Sequence, residues 1–216
     1  MTISKIQDYP MPMTPSYFVN KVDWQPDPKR AVLLIHDMQH YFINFYEAHA
    51  SLVERLIQNL VRLREWAYEN HIPVVYTVQL NKHSDQALLN AIWGPDLPVL
   101  SPDLQAIIDP LKPSEKDIVL NKWRYSTFAR SYLRERMHCW GRDQLIVGGV
   151  YAQIGCMITS VDAFMNDMQT FLVGDAVADF SAEEHLMALK FVSSRCGKVI
   201  ATDSLLDTGM RLITQK

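Results

Sequence analysis

The chain has 216 residues, 48% of them hydrophobic and 21% charged, with a formal net charge of -3. A chain of that size fits one domain whose core needs no covalent staples, and its composition is that of an ordinary globular protein. The slightly acidic balance offers no basic field to nucleic acid and no polybasic patch to a membrane surface, so neither is expected as a partner.

Residues 1–30 carry Pro10, Pro12, Pro15, Pro26 and Pro28 and read as an extended arm with little regular structure. That arm contains no apolar run of signal-peptide length, and no later stretch is long enough to span a bilayer. From 31 to 216 the pattern is that of one α/β domain. AVLLIH (31–36), PVVYTVQ (73–79), DIVLNK (117–122), QLIVGGV (144–150), TFLVGDAV (170–177) and KVIAT (198–202) are the predicted strands. Several are almost uninterrupted apolar runs, as expected where both faces of a strand are covered. Between them, Leu52, Leu56, Leu60, Leu63 and Ala67 recur at helical spacing within 50–69. Residues 128–138, 156–168 and 183–195 behave similarly, and Ser181 with Glu184 forms a capping box before the last of these. The stretch 80–116 is less regular and holds at most a short helix. Strand–helix alternation predicts a parallel sheet joined by right-handed crossovers and covered by helices. Cys139, Cys156 and Cys196 are odd in number and widely spaced, which gives neither a disulfide framework nor a metal knuckle and points to a reducing, cytoplasmic location.

In a parallel sheet ligands collect beyond the carboxyl ends of the strands. The first strand ends in His36-Asp37-Met38-Gln39, the second in Gln79, and the third in Lys122 followed by Trp123-Arg124-Tyr125-Ser126. The fourth runs through Gly148, Gly149, Val150 and Tyr151 into a helix bearing Gly155 and Cys156. An acid, a lysine and a glycine-rich turn that offers backbone N–H groups thus converge on one rim. Taken singly, each has a plainer reading. Asp37 can cap a turn, Lys122 can be a solvated loop residue, and Cys156 can be a small buried hydrophobe. His36 is expected to point to the opposite side of the strand from Asp37 and to serve structure.

LLIHDMQ (33–39), VVYTVQ (74–79), WGP (93–95), KWRYSTF (122–128), GVYAQIGCMITSVDAFM (149–165) and VADFSAEEHLMALK (177–190) together resemble the isochorismatase family, in its order and at its spacing. The likeness runs from the arm to about Leu206 and is greatest to the enzymes of catecholate-siderophore pathways and their phenazine-pathway relatives. It implies a Rossmann-like three-layer αβα sandwich with a mostly parallel six-stranded sheet in the order 3-2-1-4-5-6. In the wider superfamily the site is an Asp–Lys–Cys triad. Asp37 and Lys122 match the first two members, while the nucleophile position falls on Gly155 and Cys156 lies one place late. A helix turns about 100° per residue, so that slip aims the thiol elsewhere.

The departure favours enol-ether hydrolysis over amide hydrolysis through a thioester. The resemblance therefore implies hydrolysis of isochorismate to 2,3-dihydro-2,3-dihydroxybenzoate and pyruvate, with Asp37 as general acid. Gln79, Tyr125, Tyr151 and the Gly155 N–H are expected to orient the substrate, and Phe42 and Trp93 to supply apolar wall. No metal and no cofactor is expected, since no cluster of ligand spacing occurs near the strand ends. The alternatives are another enolpyruvyl ether, such as 2-amino-2-deoxyisochorismate, and a nicotinamidase-type cysteine amidase. Related enzymes carry an arginine where Gln86 stands here, with Lys82 or His83 as possible substitutes. A separate aryl carrier protein and a homo-oligomer, dimeric or higher, complete the expected partners.

Overall fold

Six parallel strands carry the architecture: β1 (Ala31–His36), β2 (Val74–Gln79), β3 (Ile118–Lys122), β4 (Gln144–Val150), β5 (Gln169–Ala178) and β6 (Lys198–Ile200). The computed structural model describes residues 4–12, 18–79, 91–93 and 101–213. The strands form one sheet in the order β3-β2-β1-β4-β5-β6. Every neighbouring pair is parallel, so the sheet is fully parallel where the sequence suggested mostly parallel. The named helices among the described residues are α1 (His40–Ile43), α2 (Ser51–Glu69), α3 (Pro102–Gln105), α4 (Leu133–Cys139), α5 (Met157–Met165), α6 (Ala182–Arg195) and α7 (Thr202–Ile213), with a further helical stretch at 91–93. None of the described helices is long and apolar enough to cross a membrane.

β1 shows why the molecule has three layers. All six of its residues are buried, and alternate side chains feed two separate cores. Ala31, Leu33 and Ile35 pack with Leu52, Leu56, Leu60 and Leu63 of α2 and with Leu205 of α7. Val32 and Leu34 pack on the other face with Leu133 and Met137 of α4, Ala163 of α5, and Ala188, Leu189 and Val192 of α6. Burying one leucine side chain of this kind contributes about 1.5–3 kcal/mol, so the two apolar faces fix where β1 ends and hence where the residues beyond it stand.

Three local features differ from the sequence reading. The helix expected over 128–138 begins only at Leu133, because hydroxyl groups capture the preceding backbone. Ser126 Oγ accepts from Phe128 N at 3.1 Å, Thr159 Oγ1 accepts from Thr127 N at 3.0 Å, and Ser131 Oγ accepts from Leu133 N at 3.2 Å. Such side-chain bonds compete with helical ones. The helix expected from 156 is entered through a π turn, Ala152–Cys156. α7 was not anticipated; its first residue is capped by Asp175 Oδ1, which accepts from both the N–H and the hydroxyl of Thr202 at 2.8 Å.

The N-terminal segment runs along the folded body through specific bonds. Ile6 N donates to Phe45 O at 2.8 Å, and Asp8 accepts from Ser51 N and Leu52 N at 3.0 and 3.1 Å at the start of α2. Further on, the Asn20 side-chain amide exchanges two bonds with the Val199 backbone, at 2.7 and 2.9 Å. These bonds occupy backbone groups of the edge strand β6, which would otherwise be open to pairing.

Candidate active site

The carboxyl ends of β1, β2, β3 and β4 lie side by side, and the residues just beyond them form a single cluster. Asp37 follows β1 with φ 49°, a left-handed conformation that non-glycine residues seldom adopt. Its carboxylate is buried and paired with the ammonium of Lys122, itself only 8% exposed. Thr77 of β2 locks the same carboxylate, its hydroxyl donating to Asp37 Oδ1 at 2.6 Å while accepting from Asp37 N at 3.0 Å. Burial by itself would push the Asp37 carboxyl up. The Lys122 ammonium, together with the bonds donated by Lys122 and Thr77, opposes this, and the group is held below the usual carboxylate range. The resting site therefore contains an ionised aspartate.

His36 lies within the cluster, which corrects the expectation that it would face away from Asp37. Strict alternation of side chains requires extended backbone on both residues, and the left-handed Asp37 breaks it. The fully buried ring donates through Nδ1 to Val150 O at 2.8 Å, with Nδ1 3.6 Å from Asp37 Oδ2. Burial pushes its pKa down to about 4, so the ring is neutral near pH 7 with its proton on Nδ1.

The turn after β4 supplies the floor. The Val150–Tyr151 peptide is cis. Gly155 N donates back to Tyr151 O at 3.0 Å, so the N–H expected to orient a substrate is committed within the turn, and Gly155 contributes space instead. Cys156 is completely buried among apolar residues on the α4–α6 side of the sheet, and burial raises its thiol pKa well above the ordinary value. Tyr151 also sits deeper than expected. Its hydroxyl donates to Phe42 O at 3.2 Å and its ring meets Phe42 edge-on at 5.8 Å, so it acts as wall.

Gln79, at the end of β2, stands in register with Lys122 and keeps a partly exposed side chain at the rim. Trp93 Nε1 donates to the Tyr125 hydroxyl at 3.0 Å, and Trp93 also lies 6.3 Å from the Phe180 ring, which in turn lies 4.3 Å from Tyr151. Phe42, Tyr151, Phe180, Trp93 and Tyr125 thus form one aromatic wall. Gln86, Lys82 and His83 lie outside the described residues. Among the described residues no group of three or more His, Cys, Asp or Glu could hold a metal ion.

Sequence reasoning missed four contributors. Thr77 was read only as part of a strand. Gln39, fully buried, accepts from Gln79 N at 2.7 Å and donates to Gln105 O at 2.7 Å, tying the end of β2 to α3. Its place two residues after the acid was the available signal. Phe180 extends the wall. Asp179, also fully buried, accepts from Gln153 N at 2.5 Å and Phe180 N at 2.9 Å, bracing the turn that bears Gly155. Burial raises its carboxyl to about 7. From the arm, Tyr9 seals this end of β5, accepting from Asp179 N at 2.8 Å and lying 3.2 Å from His185 Nδ1.

Comparison with known families places the geometry. Residues 31–204 match the isochorismatase domain. The chain belongs to the isochorismatase family. It is 50% identical to enterobactin synthase component B of Escherichia coli K12 over 208 residues, covering 95% of this chain and 73% of that protein. It is 51% identical to the isochorismatase of Bacillus subtilis 168, covering 96% of this chain and 67% of that protein. Phenazine biosynthesis protein PhzD of Pseudomonas fluorescens is 45% identical, with 94% of this chain and 98% of that protein covered. Among solved structures, a cysteine hydrolase from Pseudomonas syringae pv. phaseolicola shares the fold, with a TM-score of 0.78 at 20% identity over 86% of this chain and 95% of that one.

Proposed function

We propose that this protein hydrolyses the enolpyruvyl ether of isochorismate to 2,3-dihydro-2,3-dihydroxybenzoate and pyruvate in catecholate siderophore biosynthesis, in the cytoplasm and without a cofactor. The observation that carries this reading is the buried Asp37–Lys122 pair next to a glycine at position 155 and a thiol turned into the core. A site so furnished can move a proton, and among the described residues it holds no group poised for covalent attack.

A vinyl ether is cleaved by protonating its terminal carbon. The resulting oxocarbenium ion takes water at the ether carbon, and the hemiketal collapses to pyruvate and the ring alcohol. Asp37 delivers the first proton and recovers one from the attacking water. In the free site the carboxylate is ionised, so substrate binding must alter its balance. A substrate carboxylate set against Lys122 shares that ammonium between two anions. The lowering effect on Asp37 weakens, the burial effect takes over, and the aspartate takes up a proton. Gln79 and the Tyr125 hydroxyl bond the substrate at the rim, while Phe42, Tyr151 and Trp93 exclude water from the reacting carbon. A separate aryl carrier protein and an assembly of two or more copies belong to the same reading.

A second reading, 2-amino-2-deoxyisochorismate as substrate, is favoured by the 45% identity to the phenazine protein. kcat/KM measured on isochorismate, on this amino analogue and on nicotinamide separates the possibilities. Isochorismate is expected to give the highest value and nicotinamide no ammonia. A preference for the amino analogue would move the protein to the second reading, and ammonia release with no pyruvate would overturn both.

A further inference from the structure

Gly149, near the end of β4, and Gly155, in the turn after it, face the same residue. A Cβ at Gly149, which has φ 118°, would lie 2.1 Å from His36 O, and a Cβ at Gly155 would lie 2.0 Å from His36 Cε1 and 2.6 Å from each ring nitrogen. Real Cβ atoms do not approach so closely, so one side must give. The ring has little freedom to do so, because it is completely buried and held to Val150 O at 2.8 Å. The volume in question adjoins the Asp37 carboxylate, 3.6 Å from the His36 ring. A thiol or hydroxyl there would stand beside an acid–lysine pair, an arrangement that activates a nucleophile.

We propose that His36 determines the reaction class of this site: its imidazole fills the volume into which a side chain at position 155 would project, and so denies the Asp37–Lys122 pair a covalent nucleophile. His36 is in this sense a positioning residue, acting through position 155. The packing half stands on steric fit alone, and the catalytic half rests on the proton-transfer reading above.

Thermal midpoints and thiol labelling test it. Overpacking a core of this size lowers the midpoint by roughly 2–12 °C, and Gly155→Ala is expected to fall in that range. Adding His36→Ala should bring the midpoint of the double variant above that of Gly155→Ala alone, although His36→Ala by itself leaves a cavity. Losses that merely add, or a Gly155→Ala protein that melts like the native one, would overturn the packing half. Iodoacetamide labelling, mapped by peptide mass spectrometry, then compares Gly155→Cys with His36→Ala/Gly155→Cys. Labelling at position 155 is expected to be several-fold faster in the double variant and slowed by bound substrate. Equal labelling in both variants, with a native midpoint for the single one, would overturn the proposal. A native enzyme inactive on isochorismate, with the midpoint coupling intact, would instead remove the proposed substrate and leave His36 in its place.

Discussion

Gly155 and Cys156 are adjacent in the chain and have opposite surroundings. Gly155 borders the His36 ring and the floor of the site, whereas Cys156 is completely buried and its thiol pKa is raised by that burial. Thiol reactivity depends on the thiolate, so Cys156 is inert on this account. Cys156→Ser should keep kcat within a few-fold of native, with a modest loss of stability from burying a hydroxyl. Steady-state kinetics on the folded variant check this. A folded but inactive Cys156→Ser protein would restore a covalent mechanism and remove Asp37 from its role. Asp37 itself shows how residue-scale detail escapes sequence reading. The acid was identifiable from its place after β1, but its φ of 49°, which breaks the alternation that would have set its carboxylate opposite His36, was not. Alternation is a rule about extended backbone, and the backbone departs from it at this residue.

At the scale of elements, the strands were legible because both faces of the sheet are covered. AVLLIH reads as a continuous apolar run since Leu33 and Leu34 serve different cores. α2 was legible from its stripe, and the capping box before α6 is present, with Ser181 Oγ accepting from Glu184 N at 3.2 Å. The late start of α4 was not legible, because it depends on Thr127 meeting Thr159, a contact between distant parts of the chain. α1, only four residues long, gave no periodic signal of its own; α7 was passed over although Leu205, Leu206, Leu212 and Ile213 recur at helical spacing, and it is anchored by Asp175 from β5. The N-terminal segment is a similar case. Asp8 provides the cap that α2 lacks locally, since its N-cap residue Ala50 makes no side-chain cap bond. Asp8→Ala should therefore cost about 1 kcal/mol, the usual worth of such a cap, and lower the urea midpoint with m unchanged. A midpoint equal to native would mean that the segment does not support α2.

For the whole molecule, the buried titratable groups set how stability varies with pH. His36 and His185 are both lowered to about 4 by burial, against about 6.5 in an unfolded chain. Their contribution is fully present above about pH 6.5 and is lost as the pH falls toward about 4, because the unfolded chain then binds protons that the native one refuses. Asp179, raised to about 7, acts in the opposite sense, favouring the native state at low pH and losing that contribution as the pH rises through about 7. Two histidines outweigh one carboxyl in this window, so the urea midpoint should fall between pH 6.5 and pH 4.5, and His185→Gln should flatten the slope. A native midpoint that rises on acidification would contradict this assignment of charges. The same fold holds Asp37 ionised at rest and, on this account, lets it take up a proton only with substrate bound, so turnover depends on that one carboxyl. The decisive measurement is kcat for pyruvate release from isochorismate by Asp37→Asn, read through coupled lactate dehydrogenase. The side-chain amide keeps the shape of the site but cannot deliver a proton, so kcat should drop by about 10²–10⁴-fold while KM stays near native; a kcat within a few-fold of native would contradict the account.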